Sequence, residues 1–139
     1  MANESTTSTA LEQARRSFEA ADSGDYEWMI SFYGPSSTFD MSPWGLGTYE
    51  GLVAIKAFFK DWIGAFDEFE MKLEELVDLG NGVVFAVAHQ NAASAGSNPL
   101  RLRHAAVSVW EDGVAVLVRN YPDIEEARAI ATELAEARE

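Results

Sequence analysis

The chain has 139 residues, no cysteine, and 23 Asp and Glu against 10 Lys and Arg, a formal charge of -13. Disulfides, thiolate zinc sites and cysteine nucleophiles are therefore excluded, and the acidic excess makes nucleic acid and anionic membrane poor partners. A hydrophobic share of 47% and an aromatic share of 12% supply a real core, while no window approaches the roughly 18 apolar residues of a membrane span.

Met1 to Ser8 is small and polar, without the basic and apolar regions of a secretory signal. It reads as a flexible tail, 1–8, before one domain over 9–139, with the cytoplasm as the default location. Thr9-Ala10-Leu11-Glu12 has capping-box spacing and opens a helix whose Leu11, Ala14, Phe18 and Ala21 share one face. Gly24 stops it, and Asp25 caps a second helix, Tyr26 to Tyr33, ended by Gly34-Pro35. Thr38 to Met41 predicts a short strand. A loop rich in glycine and aromatics follows, with Trp44 and Tyr49. It feeds a third helix that carries Leu52, Ile55, Phe59, Trp62 and Phe66 on one stripe.

From Phe69 the apolar period changes to two, the mark of a half-buried strand. Glu75 falls on the apolar parity, which fits a buried general base or, more readily, a bulge at Glu74-Glu75. Gly80-Asn81-Gly82 turns the chain into a strand over Val83 to Ala93, and Leu100 to Trp110 is the next. Glu111-Asp112-Gly113 is a hairpin signal leading to Val114 to Tyr121. A second capping box, Asp123 with Glu126, opens a last helix to about Ala135. Helices followed by a meander of strands predict an α+β chain with its helices on one face of a curved antiparallel sheet.

The strand–aromatic loop–helix block resembles the nuclear transport factor two-like superfamily, more closely its SnoaL-like branch of polyketide cyclases, ketosteroid isomerases and limonene epoxide hydrolases. Gly24-Asp25, the run from Gly47 to Phe58, and Asp112-Gly113 leading to Tyr121-Pro122-Asp123 carry it. The resemblance implies a cone-shaped fold, a curved sheet wrapped over helices around a deep hydrophobic pocket, and a homodimer through the outer sheet face. The catalytic sets of these relatives do not carry over. At the isomerase positions stand Ser17, Met41 and Ala106, although Asp40 is one residue from the base position. At the epoxide hydrolase positions stand Ala88-His89-Gln90 and Asn120, where an amide can orient a ligand but cannot take a proton.

Strand parity selects the residues that face the pocket. Arg101 and Arg103 are costly to bury, so His104, Ala106 and Ser108 are expected inward. The row Val84, Ala86, Ala88 and Gln90 leaves room, and Val114, Val116, Val118 and Asn120 form a wall ending in an amide. The candidate site therefore has Asp40 and His104 as acid or base, with Phe39, Met41, Trp44, Tyr49, Trp62, Gln90 and Asn120 as ligand contacts. Two histidines in the chain do not make a metal site, and no cofactor motif stands out. Three functions stay open: acid/base isomerisation, cyclisation or hydrolysis of an apolar substrate, binding of an apolar ligand without catalysis, and dimeric association.

Overall fold

The computed structural model describes residues 9–96 and 98–138; the tail expected over 1–8 lies outside the described residues. Four helices, α1 (Ala10–Ser23), α2 (Tyr26–Ile30), α3 (Leu52–Gly64) and α4 (Ile124–Ala137), accompany a sheet of six strands. The strands are β1 (Thr38–Asp40), β2 (Thr48–Glu50), β3 (Glu68–Gly80), β4 (Val83–Ala93), β5 (Leu100–Glu111) and β6 (Val114–Tyr121). Their order across the curved, unclosed sheet is β2-β1-β6-β5-β4-β3.

The local signals act as their chemistry requires. The Thr9 hydroxyl accepts the Glu12 N–H at 3.1 Å, and Gly24, with φ of 74°, closes α1. Asp25 and Asp123 cap α2 and α4 in the same way, at 3.1 and 3.0 Å. Asn81-Gly82 and Asp112-Gly113 hold positive φ at both positions, as the tight turns of twisted hairpins demand. At Gly82 the constraint is steric as well, because a Cβ there would stand 2.5 Å from the Trp110 carbonyl oxygen.

Four features depart from the reading of the sequence. α2 ends at Ile30 rather than Tyr33, and the aromatic loop contains β2, paired with β1 from Thr38↔Glu50 to Asp40↔Thr48. β1 lies parallel to β6, with Phe39 beside Val118 and Asp40 beside Arg119, so the sheet is mixed rather than wholly antiparallel. The β5–β6 register shifts between Val109 and Trp110. The shift flips the start of β6, so that Ala115 packs inward with Trp110 while Val116 joins the outer cluster. The valine row is therefore continuous on the inner face only at its far end, Val118 and Asn120. The bulge at Leu73/Glu75 is present, and the displaced Glu75 meets Arg128 of α4 through two hydrogen bonds at 2.8 and 3.1 Å.

Two apolar clusters occupy the two faces of the sheet. On the outer face, Ala127, Ala131 and Ala135 of α4 press against Val83, Phe85, Val87, Val107 and Val109. The small helix residues let the helix axis approach the strands closely. On the inner face α1, α2 and α3 pack through Ala14, Met29, Ile55 and Phe59 against Val84, Trp110 and Val118. The inner layer does not close completely at the far ends of β5 and β6.

Candidate functional site

The unclosed region is a cavity of about 130 Å³ between the inner sheet face and the helical layer. Its floor is built by register. Ala106 pairs with Ala86 on one side and Asn120 on the other, and His104 pairs with Ala88. The methyl group of Ala106 leaves space in the cavity that a larger side chain would fill. Gln90, His104 and Asn120 thus form a diagonal polar row across β4, β5 and β6, with diagonal neighbours about 7–8 Å apart at the backbone.

The walls are aromatic. Phe39 from β1 stands edge-on to Phe59, ring centres 5.1 Å apart, and Phe58 stacks on Trp62 at 6.3 Å. Met41, Trp44 and Leu46 enter from the loop after β1, and Tyr33 and Trp110 close the deep side. No Asp, Glu, Lys or Arg lines the cavity among the described residues. Any charge brought into it would meet no counter-charge.

Polar atoms here are few and unequal. Trp62 Nε1 donates to Gln90 Oε1 at 2.8 Å, and Trp110 Nε1 donates to the Ser108 hydroxyl at 2.9 Å. His104 is 4% exposed, and burial alone pulls its imidazole down to about 4, so the ring is neutral at physiological pH. Its Nδ1 and the Trp44 Nε1 are buried without a partner among the described residues. Asn120, 6% exposed, lines the same space. Burial also pushes the Tyr33 hydroxyl above its ordinary range, which keeps it protonated.

The fold thus brings together Phe39, Met41, Trp44, Trp62, Gln90, His104 and Asn120, and Arg103 turns away to Glu74 at 3.0 Å. It does not bring Asp40 or Tyr49 to the cavity. Tyr49 stands behind Phe58, ring centres 4.6 Å apart, with its hydroxyl on the Leu46 carbonyl. Asp40 faces the opposite side of β1 from Phe39. It receives the Arg119 Nε at 2.7 Å, the Thr48 hydroxyl at 3.0 Å and the Ser42 N–H at 2.8 Å. Burial raises its carboxyl, but the bonds from Ser42, Arg119 and Thr48 outweigh burial and hold it down at about 2. Such a group is an anchor for the loop, not a proton acceptor for a ligand on the other face. Strand alternation could have foretold this, since Phe39 and Asp40 are adjacent. Ser108 and Trp110 share the parity of His104 and were legible in the same way. Met29 from α2 and Tyr33 from the turn after it also line the cavity, as their shared face in the sequence allows.

A model of the SnoaL-like domain matches residues 14–118. The chain belongs to the SnoaL-like family. No curated protein matches this SnoaL-like chain in sequence. Solved structures do match in shape. TerC, co-crystallised with polyporic acid, is 19% identical with a TM-score of 0.70, over 89% of this chain and 98% of that one. An NTF2-like protein of unknown function from Burkholderia pseudomallei is 22% identical with a TM-score of 0.70, over 91% and 99%. A protein of ketosteroid isomerase-like fold from Catenulispora acidiphila, in complex with trimethylamine, is 12% identical with a TM-score of 0.72, over 82% and 86%. At these identities the likeness establishes the fold of the SnoaL-like chain and leaves its chemistry to the cavity.

Proposed function

We propose that this SnoaL-like protein binds an uncharged, apolar small molecule in the cavity between its helices and its curved sheet. The observation that carries the reading is the lining itself: aromatic and aliphatic walls, few polar groups and, among the described residues, no Asp, Glu, Lys or Arg. A few polar contacts in an apolar concavity are the ordinary make-up of a small-molecule site. The volume of about 130 Å³ is close to that of cavities of roughly 150 Å³ that take up benzene. A molecule with one ring, or a short hydrocarbon body, fits such a space.

A catalytic version of this reading is supported by one observation, the unpartnered Nδ1 of His104 on a cavity residue. The neutral ring can take a proton from a bound molecule or relay one, with the Asn120 amide beside it to orient a polar group. This is the chemistry of isomerisation or cyclisation. The low basicity of the ring restricts it to protons that are already acidic.

The experiment is a fluorescence titration of the full chain with a panel of small apolar ketones, lactones and arenes. Trp44, Trp62 and Trp110 line the cavity, so binding shifts their emission, and Trp44→Ala reduces the shift. If a panel member is turned over, His104→Gln lowers the rate at least about a hundredfold, whereas Asp40→Asn leaves it within a few-fold of wild type and lowers stability instead. No shift with any panel member contradicts the binding reading. A hundredfold loss in Asp40→Asn contradicts the assignment of the acid/base role to His104.

A further inference from the structure

The loop between β1 and β2 is a unit of its own. The Met41 N–H donates to the Gly47 carbonyl at 2.8 Å, and the Trp44 and Leu46 N–H groups donate back to the Met41 carbonyl at 2.9 and 3.1 Å. Ser42–Trp44 form a 3-10 turn closed by Gly45 in the left-handed conformation. Residues 41–47 thus satisfy one another, and their two ends meet at one point. A segment built in this way can swing as a small body about its ends. Met41, Trp44 and Leu46 line the cavity, and Leu46 is also 43% exposed, so the loop stands at the rim.

Opposing terms act on its position. Trp44 Nε1 is buried without an acceptor among the described residues. The closed position therefore carries the cost of a stripped donor, which water relieves when the loop lifts. Burial of apolar surface at the rim works the other way. So does Asp40, from the opposite side of β1. Its Oδ1 takes the Ser42 N–H and the Thr48 hydroxyl, one on each stem of the loop, and its Oδ2 takes Arg119 Nε from β6. Arg119 Nη1 also donates to the Tyr121 hydroxyl at 3.4 Å, and Tyr121 is packed in the outer cluster beneath α4. The buried carboxylate thus joins both stems of the loop to the sheet.

Resting on the reading of the cavity as a binding site, we propose that residues 41–47 are its lid and that the Asp40–Arg119 ion pair is the latch that holds the lid shut. Asp40 and Arg119 are positioning residues, and neither lines the cavity. They set how often it opens, so a reaction limited by its chemical step is little affected by them. The test is hydrogen exchange of the indole N–H groups, followed by proton–nitrogen NMR on the full chain without ligand. Trp110 is the reference, because its Nε1–H is buried and donates to Ser108. The Trp44 indole is expected to exchange at least about tenfold faster than that of Trp110, by local opening rather than global unfolding. Arg119→Met, which keeps the stem and removes the guanidinium, is expected to speed Trp44 exchange about fivefold or more. Asp40→Asn, a milder change that keeps an acceptor for Ser42 and Thr48, is expected to speed it about threefold or more. Gly82→Ala, which destabilises the chain at the β3–β4 turn, is expected to speed Trp110 and leave Trp44 unmoved. Equal rates for Trp44 and Trp110 in the wild type, or equal acceleration of both by Gly82→Ala, overturn the lid. A Trp44 rate unchanged in both Arg119→Met and Asp40→Asn overturns the latch. Each of these results leaves the binding reading standing, since the fluorescence titration tests that separately.

Discussion

His104 and Asp40 show at the level of single residues how position decides chemistry. Both are ionisable and both are nearly inaccessible to water. Asp40 is surrounded by donors and stays charged, whereas His104 has apolar neighbours and stays neutral. The difference was half visible in the sequence. Parity put His104 inward because Arg101 and Arg103 had to face out. The same rule, applied to Phe39 and Asp40, separates them, and parity also puts Arg119 with Tyr121 on the far face of β6. What parity could not give is the pairing of β1 with β6 that brings Arg119 to Asp40. The neutral imidazole has a consequence for stability. Its pKa is 6.5 ordinarily and about 4 in the folded chain, so on acidification the unfolded chain takes up this proton first. Its contribution is fully present above about pH 6.5 and is lost as the pH falls to about 4, on the order of 3 kcal/mol. Urea unfolding between pH 7 and 4.5 is expected to show this decline, and His104→Gln to flatten it between pH 6.5 and 5. An unchanged slope in the variant would show that the ring is not held neutral.

The starts of elements with strong local signals were legible to within a residue or two. Thr9, Asp25 and Asp123 mark their helices through caps, and Asn81-Gly82 and Asp112-Gly113 mark their hairpins through backbone freedom. β2 was not legible, because three residues, Thr48 to Glu50, are too few to establish an alternation. Nor was the register shift at Val109/Trp110, since both residues suit a strand and only the tertiary pairing reveals the extra position. That shift turned two expected wall residues, Val114 and Val116, away from the cavity. The β3–β4 turn is where local and tertiary constraints coincide. Gly82 has φ of 82°, accepts the Trp110 N–H at 2.8 Å, and has no room for a Cβ. Gly82→Ala is expected to cost about 2 kcal/mol or more through strain and displacement of β5. The denaturation midpoint measures this, and a loss near zero would mean that the turn relaxes freely.

The molecule as a whole is a sheet with one face sealed and the other hollow. α4 seals the outer face with alanines, and the inner face keeps a cavity over Ala106, between the strands and the helical layer. Homodimerisation through the sheet stays a proposal, and any such contact would use the outer surface around α4 rather than the central strands beneath it. Among the described residues no helix is long and apolar enough to cross a membrane. The hollow is the feature on which the functional reading turns, and Ala106 is its floor, 5% exposed and paired with Ala86 and Asn120. Ala106→Leu places a side chain in the empty space without asking the surrounding core to move. Calorimetric titration of the tightest apolar ligand into wild type and Ala106→Leu therefore tests the account most directly. The prediction is at least about a tenfold loss of affinity, near the 1.4 kcal/mol that such a factor represents, with a melting temperature equal to or above that of wild type. Undiminished affinity in the filled variant would place the ligand elsewhere and contradict the account.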